Sequence, residues 1–131
     1  MRRPIRVFII EDNEVFREAL ELLLGLRGDV EVVGTLADGN GAASVVSGLR
    51  PDVVLLDYRL PGLNGVEVTR EIVAALPDAS VICLTASVTA REVEELEAAG
   101  AYACLTKDGD LDLIVATIRE AVGPLCNGAT A

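Results

Sequence analysis

The sequence predicts a doubly wound α/β sandwich, a parallel sheet of five strands covered by helices on both faces. Three observations carry the prediction. Short β-branched and apolar runs alternate five times with segments of helical spacing. The runs are apolar at successive positions, as strands buried on both faces must be. A chain of 131 residues with 51% hydrophobic content is long enough to bury one core without disulfides or metal staples. Parallel strands joined through helices require right-handed crossovers, which place helices on either side of the sheet.

In chain order, the first strand is expected near residues 5–10. It is followed by a helix with its apolar positions at Phe16, Ala19, Leu20 and Leu23. A second strand near 30–35 leads to a helix patterned on Ala42, Val45, Val46 and Leu49, and Pro51 stops it. The third strand, near 53–57, precedes a helix patterned on Val68, Ile72, Val73 and Leu76, which ends before Pro77. A fourth strand near 80–85 leads to a helix carrying Val93 and Leu96. A fifth near 101–106 leads to one carrying Leu111, Ile114, Val115, Ile118 and Val122. Asn13, Asn64, Thr89 and Asp110 stand where helix caps belong. Residues 1–122 read as one domain, and 123–131, with two glycines and a proline, as a tail or the opening of a linker.

Charge and composition narrow the function. A net charge of -10 disfavours direct contact with nucleic acid or anionic membrane, whose phosphates attract clustered Lys and Arg. Three scattered cysteines and no histidine argue against structural zinc. Cys83 and Cys104 fall within apolar runs and read as small hydrophobes. The N-terminal apolar stretch is broken by Arg6 and Glu11, so neither a signal peptide nor a membrane span is expected, and the compartment reads as cytoplasmic.

The chemistry lies at strand ends. Asp57 closes the run Val53-Val54-Leu55-Leu56, Glu11 and Asp12 follow the first strand, Thr85 closes the fourth and Lys107 follows the fifth. In open parallel sheets ligands bind beyond the carboxyl ends of the strands, so these residues converge on one site. Three carboxylates gathered there repel; unit charges about 4 Å apart at an effective dielectric near 20 cost on the order of 4 kcal/mol. A hard divalent cation with oxygen ligands relieves this better than protonation, which implies Mg²⁺. With its charge so screened, Asp57 can act as a nucleophile toward phosphorus and form an aspartyl phosphate. Glu11 and Asp12 would hold the ion, Lys107 would meet a phosphoryl oxygen and the Thr85 hydroxyl would donate a hydrogen bond.

Ile9-Ile10-Glu11-Asp12-Asn13, Leu55-Leu56-Asp57 through Gly65, Leu84-Thr85-Ala86 and Leu105-Thr106-Lys107 resemble the signature blocks of bacterial two-component response-regulator receiver domains, over residues 5–122. The resemblance implies a (βα)5 flavodoxin-like fold with strand order 2-1-3-4-5. It makes Asp57 the phosphoacceptor, and Glu11, Asp12, Asp57 and the Arg59 backbone carbonyl the Mg²⁺ ligands. Thr85, Ala86 and Lys107 would bind the phosphoryl group. It further implies a sensor histidine kinase as donor, phosphotransfer and dephosphorylation that the domain catalyses only on itself, and homodimerisation on phosphorylation through apolar residues of the fourth and fifth helices. Val32-Val33-Gly34, Arg50-Pro51-Asp52 and Lys107-Asp108 resemble the NarL/FixJ-type transcription factors, whose C-terminal helix-turn-helix, the only route to DNA, would lie outside this chain.

The pattern is broken at one place. Receivers carry Tyr or Phe three residues before the lysine, where this chain has Cys104. Tyr102, two residues earlier and so on the same side of a strand, is a candidate substitute about 7 Å away along the sheet, unless it only packs against the fourth helix. Arg59 and Ser87, two positions beyond Asp57 and Thr85, would flank the hydrolytic water, although Arg59 could instead pair with Glu11 or Glu14. A phosphatase of the haloacid dehalogenase type needs a second acid where Arg59 stands, and a nucleotide-binding P-loop needs a GxxxxGK[ST] that is absent. The remaining alternative is a phosphorylation-independent module that works by dimerisation or protein interaction.

Overall fold

The computed structural model describes residues 3–86 and 89–126. Its elements run β1 (Ile5–Ile10), α1 (Glu14–Gly25), β2 (Val30–Leu36), α2 (Ala42–Leu49), β3 (Val53–Asp57), α3 (Gly65–Ala75), β4 (Ser80–Thr85), α4 (Ala90–Ala99), β5 (Ala103–Thr106) and α5 (Leu111–Cys126). The sheet is parallel throughout in the order β2-β1-β3-β4-β5, as expected. Strand order reverses between β1 and β3, the place where this class of sheet opens a crevice.

Alternation along the strands splits the interior into two layers. Ile5, Val7 and Ile9 of β1 join Val53, Leu55, Ile82 and Leu84 against Leu20 and Leu24 of α1 and Ile114, Val115 and Ile118 of α5. Phe8, Ile10, Val54, Leu56 and Val81 face the other way, onto Val46 of α2 and Val68 and Ile72 of α3. A smaller group at the far edge joins Val66, Cys83, Leu96, Ala99 and Cys104. Between Val7 and Phe8 the β1–β2 register slips by one residue, and Phe8 pairs with Gly34. A Cβ at Gly34 would lie 2.7 Å from the Phe8 ring, so the slip needs glycine.

The expected caps are present. Asn13, Asn64 and Thr89 accept from the backbone N–H groups of Phe16, Glu67 and Glu92, and Asp110 accepts from Asp112. Two helices differ from their expected patterns. The buried stripe of α1 steps by four through Phe16, Leu20 and Leu24, while Ala19 is exposed and Leu23 is 42% exposed. Leu23 lines a groove between α1 and α5, together with Leu20, Leu111 and Ile114. Val45 of α2 is likewise 42% exposed. Among the described residues no helix is long and apolar enough to cross a membrane.

Candidate phosphoacceptor site

Asp57 ends β3, the central strand, and is 5% exposed. The chain then turns back on itself: the Arg59 N–H donates to Asp57 Oδ1 at 3.1 Å. The Gly65 N–H donates to the Tyr58 carbonyl at 2.7 Å, which presses the start of α3 against this turn. A Cβ at residue 65 would lie 2.7 Å from Tyr58 Cα, so glycine is required there for space.

Glu11 and Asp12 differ in environment. Glu11 is buried, its N–H donates to the Leu36 carbonyl at 2.9 Å and its carbonyl accepts from Arg17 Nη1 at 2.7 Å. Asp12 is exposed. Oxygens of Glu11, Asp12 and Asp57 nonetheless all lie within 4.8 Å of one another. Three hard oxygen donors at this spacing, one open to solvent, fit a magnesium ion that keeps several waters. The Arg59 carbonyl belongs to the same turn.

Lys107 reaches this cluster from beyond β5. Its Nζ lies 2.8 Å from Glu11 Oε1, 2.9 Å from Glu11 Oε2 and 3.1 Å from Asp57 Oδ2, with the Phe16 ring 4.9 Å away. Burial alone pushes its ammonium down, but the hydrogen bonds to Glu11 and Asp57 together outweigh this and its pKa is raised. Burial dominates at Glu11 and holds its carboxyl above the usual range, against the bonds from Lys107 and the Asn13 N–H. The Lys107 N–H donates to the Thr85 carbonyl at 2.8 Å, which fixes the lysine to the end of β4. Thr85 is fully buried and Ala86 is exposed.

The structure thus brings Glu11, Asp12, Asp57 and Lys107 together and places Thr85 at the neighbouring strand end. Arg59 has another partner than Glu11 or Glu14. It stacks over the Tyr58 ring at 5.4 Å and its Nη2 lies 3.7 Å from Glu92 Oε2, because the turn after β3 leans toward α4. Ser87 lies outside the described residues. Glu92 was absent from the expected site, although Thr89-x-x-Glu92 spells a capping box. Its Oε1 accepts from the Thr89 N–H at 2.9 Å while the Thr89 hydroxyl accepts from the Glu92 N–H. The Thr89 bond holds the Glu92 carboxyl below the usual range, with the Tyr58 hydroxyl and Arg59 adding to it.

Cys104 sits in the apolar group with Cys83 and Leu96. Tyr102 is not part of that group. It precedes β5 at the open edge, 41% exposed, and its hydroxyl donates to Glu120 of α5 at 2.6 Å. Strand alternation starts only at Ala103, so it does not govern Tyr102. Large exposed apolar side chains also depart from expectation: among the described residues they lie mainly on α1 (Val15, Leu22, Leu23) and its C-cap (Leu26), with Leu113 on α5 and none on α4.

The chain is similar to the transcriptional regulatory protein LnrK of Bacillus subtilis, 37% identical over 87% of this chain and 52% of LnrK. It is also similar to the transcriptional regulatory protein LiaR of the same species, 35% identical over 89% of this chain and 56% of LiaR. It therefore spans about half the length of the curated relatives it matches. Among solved structures, the signal receiver domain of the putative response regulator NarL from Mycobacterium tuberculosis superposes with a TM-score of 0.78 at 31% identity, over 97% of each chain. The model of the response regulator receiver domain family matches residues 7–119, from inside β1 into α5. With four of the five strands, most of β1 and the whole acidic site inside that span, the chain belongs to the response regulator receiver family.

Proposed function

We propose that the chain accepts a phosphoryl group on Asp57 from the phosphohistidine of a sensor histidine kinase, in a Mg²⁺-dependent reaction, and relays the event through its surface. The single observation that carries this reading is the convergence of Glu11, Asp12 and Asp57 within 4.8 Å under the Lys107 ammonium. Mg²⁺, held by Glu11, Asp12, Asp57 and the Arg59 carbonyl, supplies neutralisation of the phosphoryl charge. The Asp57 carboxylate attacks phosphorus, a P–O bond forms and the P–N bond to the donor imidazole breaks. Lys107 then pairs with a phosphoryl oxygen, and Thr85 and Ala86 bind the group beside it. The domain acts on itself and turns over no separate substrate.

The output in this reading is transcription control, exerted through a C-terminal DNA-binding domain; LnrK and LiaR, the relatives named above, are transcriptional regulatory proteins. It takes place in the cytoplasm, with homodimerisation on phosphorylation. The test is intact mass after incubation with Mg²⁺ and acetyl phosphate. One phosphoryl adduct is expected, absent in Asp57→Asn and absent with a chelator. Cys104, in place of an aromatic, favours a second reading, a phosphorylation-independent interaction module. A folded chain that takes no adduct and binds no Mg²⁺ would make that reading the leading one.

Tyr102 is proposed as the residue that reports activation, by exchanging its hydrogen bond to Glu120. Tyr102→Ala is expected to keep adduct formation and to weaken self-association of the phosphorylated form, followed by sedimentation. Unchanged self-association would remove Tyr102 from the switch.

A further inference from the structure

Cys83 and Cys104 are register partners on the neighbouring parallel strands β4 and β5. Partners on adjacent strands are about 4.7–4.9 Å apart, inside the roughly 4.4–6.8 Å Cα window of disulfides. Both side chains enter the same apolar group with Val66, Leu96 and Ala99, and both are free thiols. Cys83 is fully buried, whereas Cys104 is partly open to solvent. A pair of small hydrophobes would satisfy packing alone, but here the two thiols stand side by side with one of them reachable. We infer that Cys83 and Cys104 form a redox modification site, a dithiol that a peroxide converts to a reversible β4–β5 disulfide.

The order of events follows from the two environments. A peroxide reaches Cys104 first, because Cys83 is fully buried and Cys104 is partly open to solvent. Cys104, once ionised, attacks one peroxide oxygen as its thiolate. The O–O bond breaks, hydroxide leaves and takes up a proton as water, and Cys104 becomes a sulfenic acid. The Cys83 sulfur then attacks the Cys104 sulfur, losing its proton as the S–S bond forms and the S–O bond breaks, and a second water departs. Two thiols supply the two electrons that reduce one peroxide to two waters.

The sheet suits a bond that forms and breaks. Cβ atoms of a disulfide stand about 3.5–4.5 Å apart, closer than side-by-side parallel strands hold them, so β5 must move inward. It is a four-residue edge strand, paired only with β4, and can do so. The resulting strain keeps the bond reducible, as for labile rather than structural disulfides. Once formed, it ties the strand that ends in Thr85 to the strand that leads to Lys107.

The test uses the full chain with Cys126→Ser, which leaves these two thiols alone. The folded protein is treated with hydrogen peroxide, then unfolded and alkylated, and weighed. The expected result is loss of both alkylation sites and of two hydrogens in most molecules, a proteolytic fragment joining the Cys83 and Cys104 peptides, and recovery of both thiols with dithiothreitol. Cys83→Ala on the same background is expected to stop at an oxygen adduct on Cys104. Two thiols that stay alkylatable, or oxygen added to Cys104 with Cys83 still alkylatable, would overturn the assignment.

Discussion

Lys107→Met is expected to lower the stability of the domain by about 2–3 kcal/mol, read as a melting point roughly 6–12 °C lower near neutral pH. Methionine keeps the stem that crosses Phe16 but removes the cation shared by Glu11 and Asp57. Removing one partner of a fully buried pair costs about 3–5 kcal/mol, and the Lys107 side chain is 19% exposed, which places it below that range. The pH dependence is the stronger check. The folded pKa of Glu11 is already raised, and loss of Lys107 raises it further. A carboxyl with a raised folded pKa costs nothing while it is protonated in both states. Its cost appears as pH climbs from the unfolded value through the folded one. The defect of Lys107→Met is therefore expected to shrink toward acid and grow to a plateau above the raised value. In the parent, the raised pKa of Lys107 means its own contribution persists up to its unfolded value and fades only as pH rises through the folded one. Mg²⁺ is expected to recover part of the loss. A melting difference that is flat between roughly pH 4 and 8 would show that Glu11 is not its source.

Gly65→Ala is expected to slow phosphoryl uptake by about 10–100-fold, because misplacement by a fraction of an ångström at a reacting group has effects of that order. The added methyl would sit 2.7 Å from Tyr58 Cα and 3.3 Å from the Asp57 carbonyl oxygen, both backbone atoms that cannot rotate aside. Either α3 backs away, and the 2.7 Å bond from the Gly65 N–H to the Tyr58 carbonyl lengthens, or the turn after Asp57 shifts. Overpacking of this kind costs about 1–3 kcal/mol, partly offset because alanine favours the helix. Adduct formation with acetyl phosphate and the melting point, measured on the same samples, separate the two effects. Uptake equal to that of the parent would mean that α3 yields and the turn does not.

Strands were the most legible part of the sequence, because Val and Ile runs at strand length leave few alternatives and the caps at Asn13, Asn64 and Thr89 are local chemistry. What local pattern could not give was which distant side chain arrives where. Glu11 and Asp12 look like equals in sequence, yet one is buried under a lysine 96 positions away and the other faces water. Leu23 fits a helical stripe as well as Leu24 does, yet Leu24 is fully buried in the layer with β1 and α5 while Leu23 is 42% exposed. Tyr102 was placed by extending the period of a strand that begins one residue later. Arg59 was given acidic partners close to the strand ends, while the turn carries it to Glu92 instead.

That last contact has a thermodynamic consequence. Glu92 closes the first turn of α4 through the Thr89 N–H and also holds the turn behind Asp57 through Arg59 and the Tyr58 hydroxyl. One carboxylate is thus shared by the turn after Asp57 and the first turn of α4. If a change at Asp57 alters how firmly that helix is capped, then a molecule that clamps the helix must alter the free energy of the change at Asp57 by an equal amount, since linkage has no preferred direction. Whatever reads α4 would in that case also write to Asp57, and the factor by which phosphorylation tightens such a partner would equal the factor by which the partner favours phosphorylation.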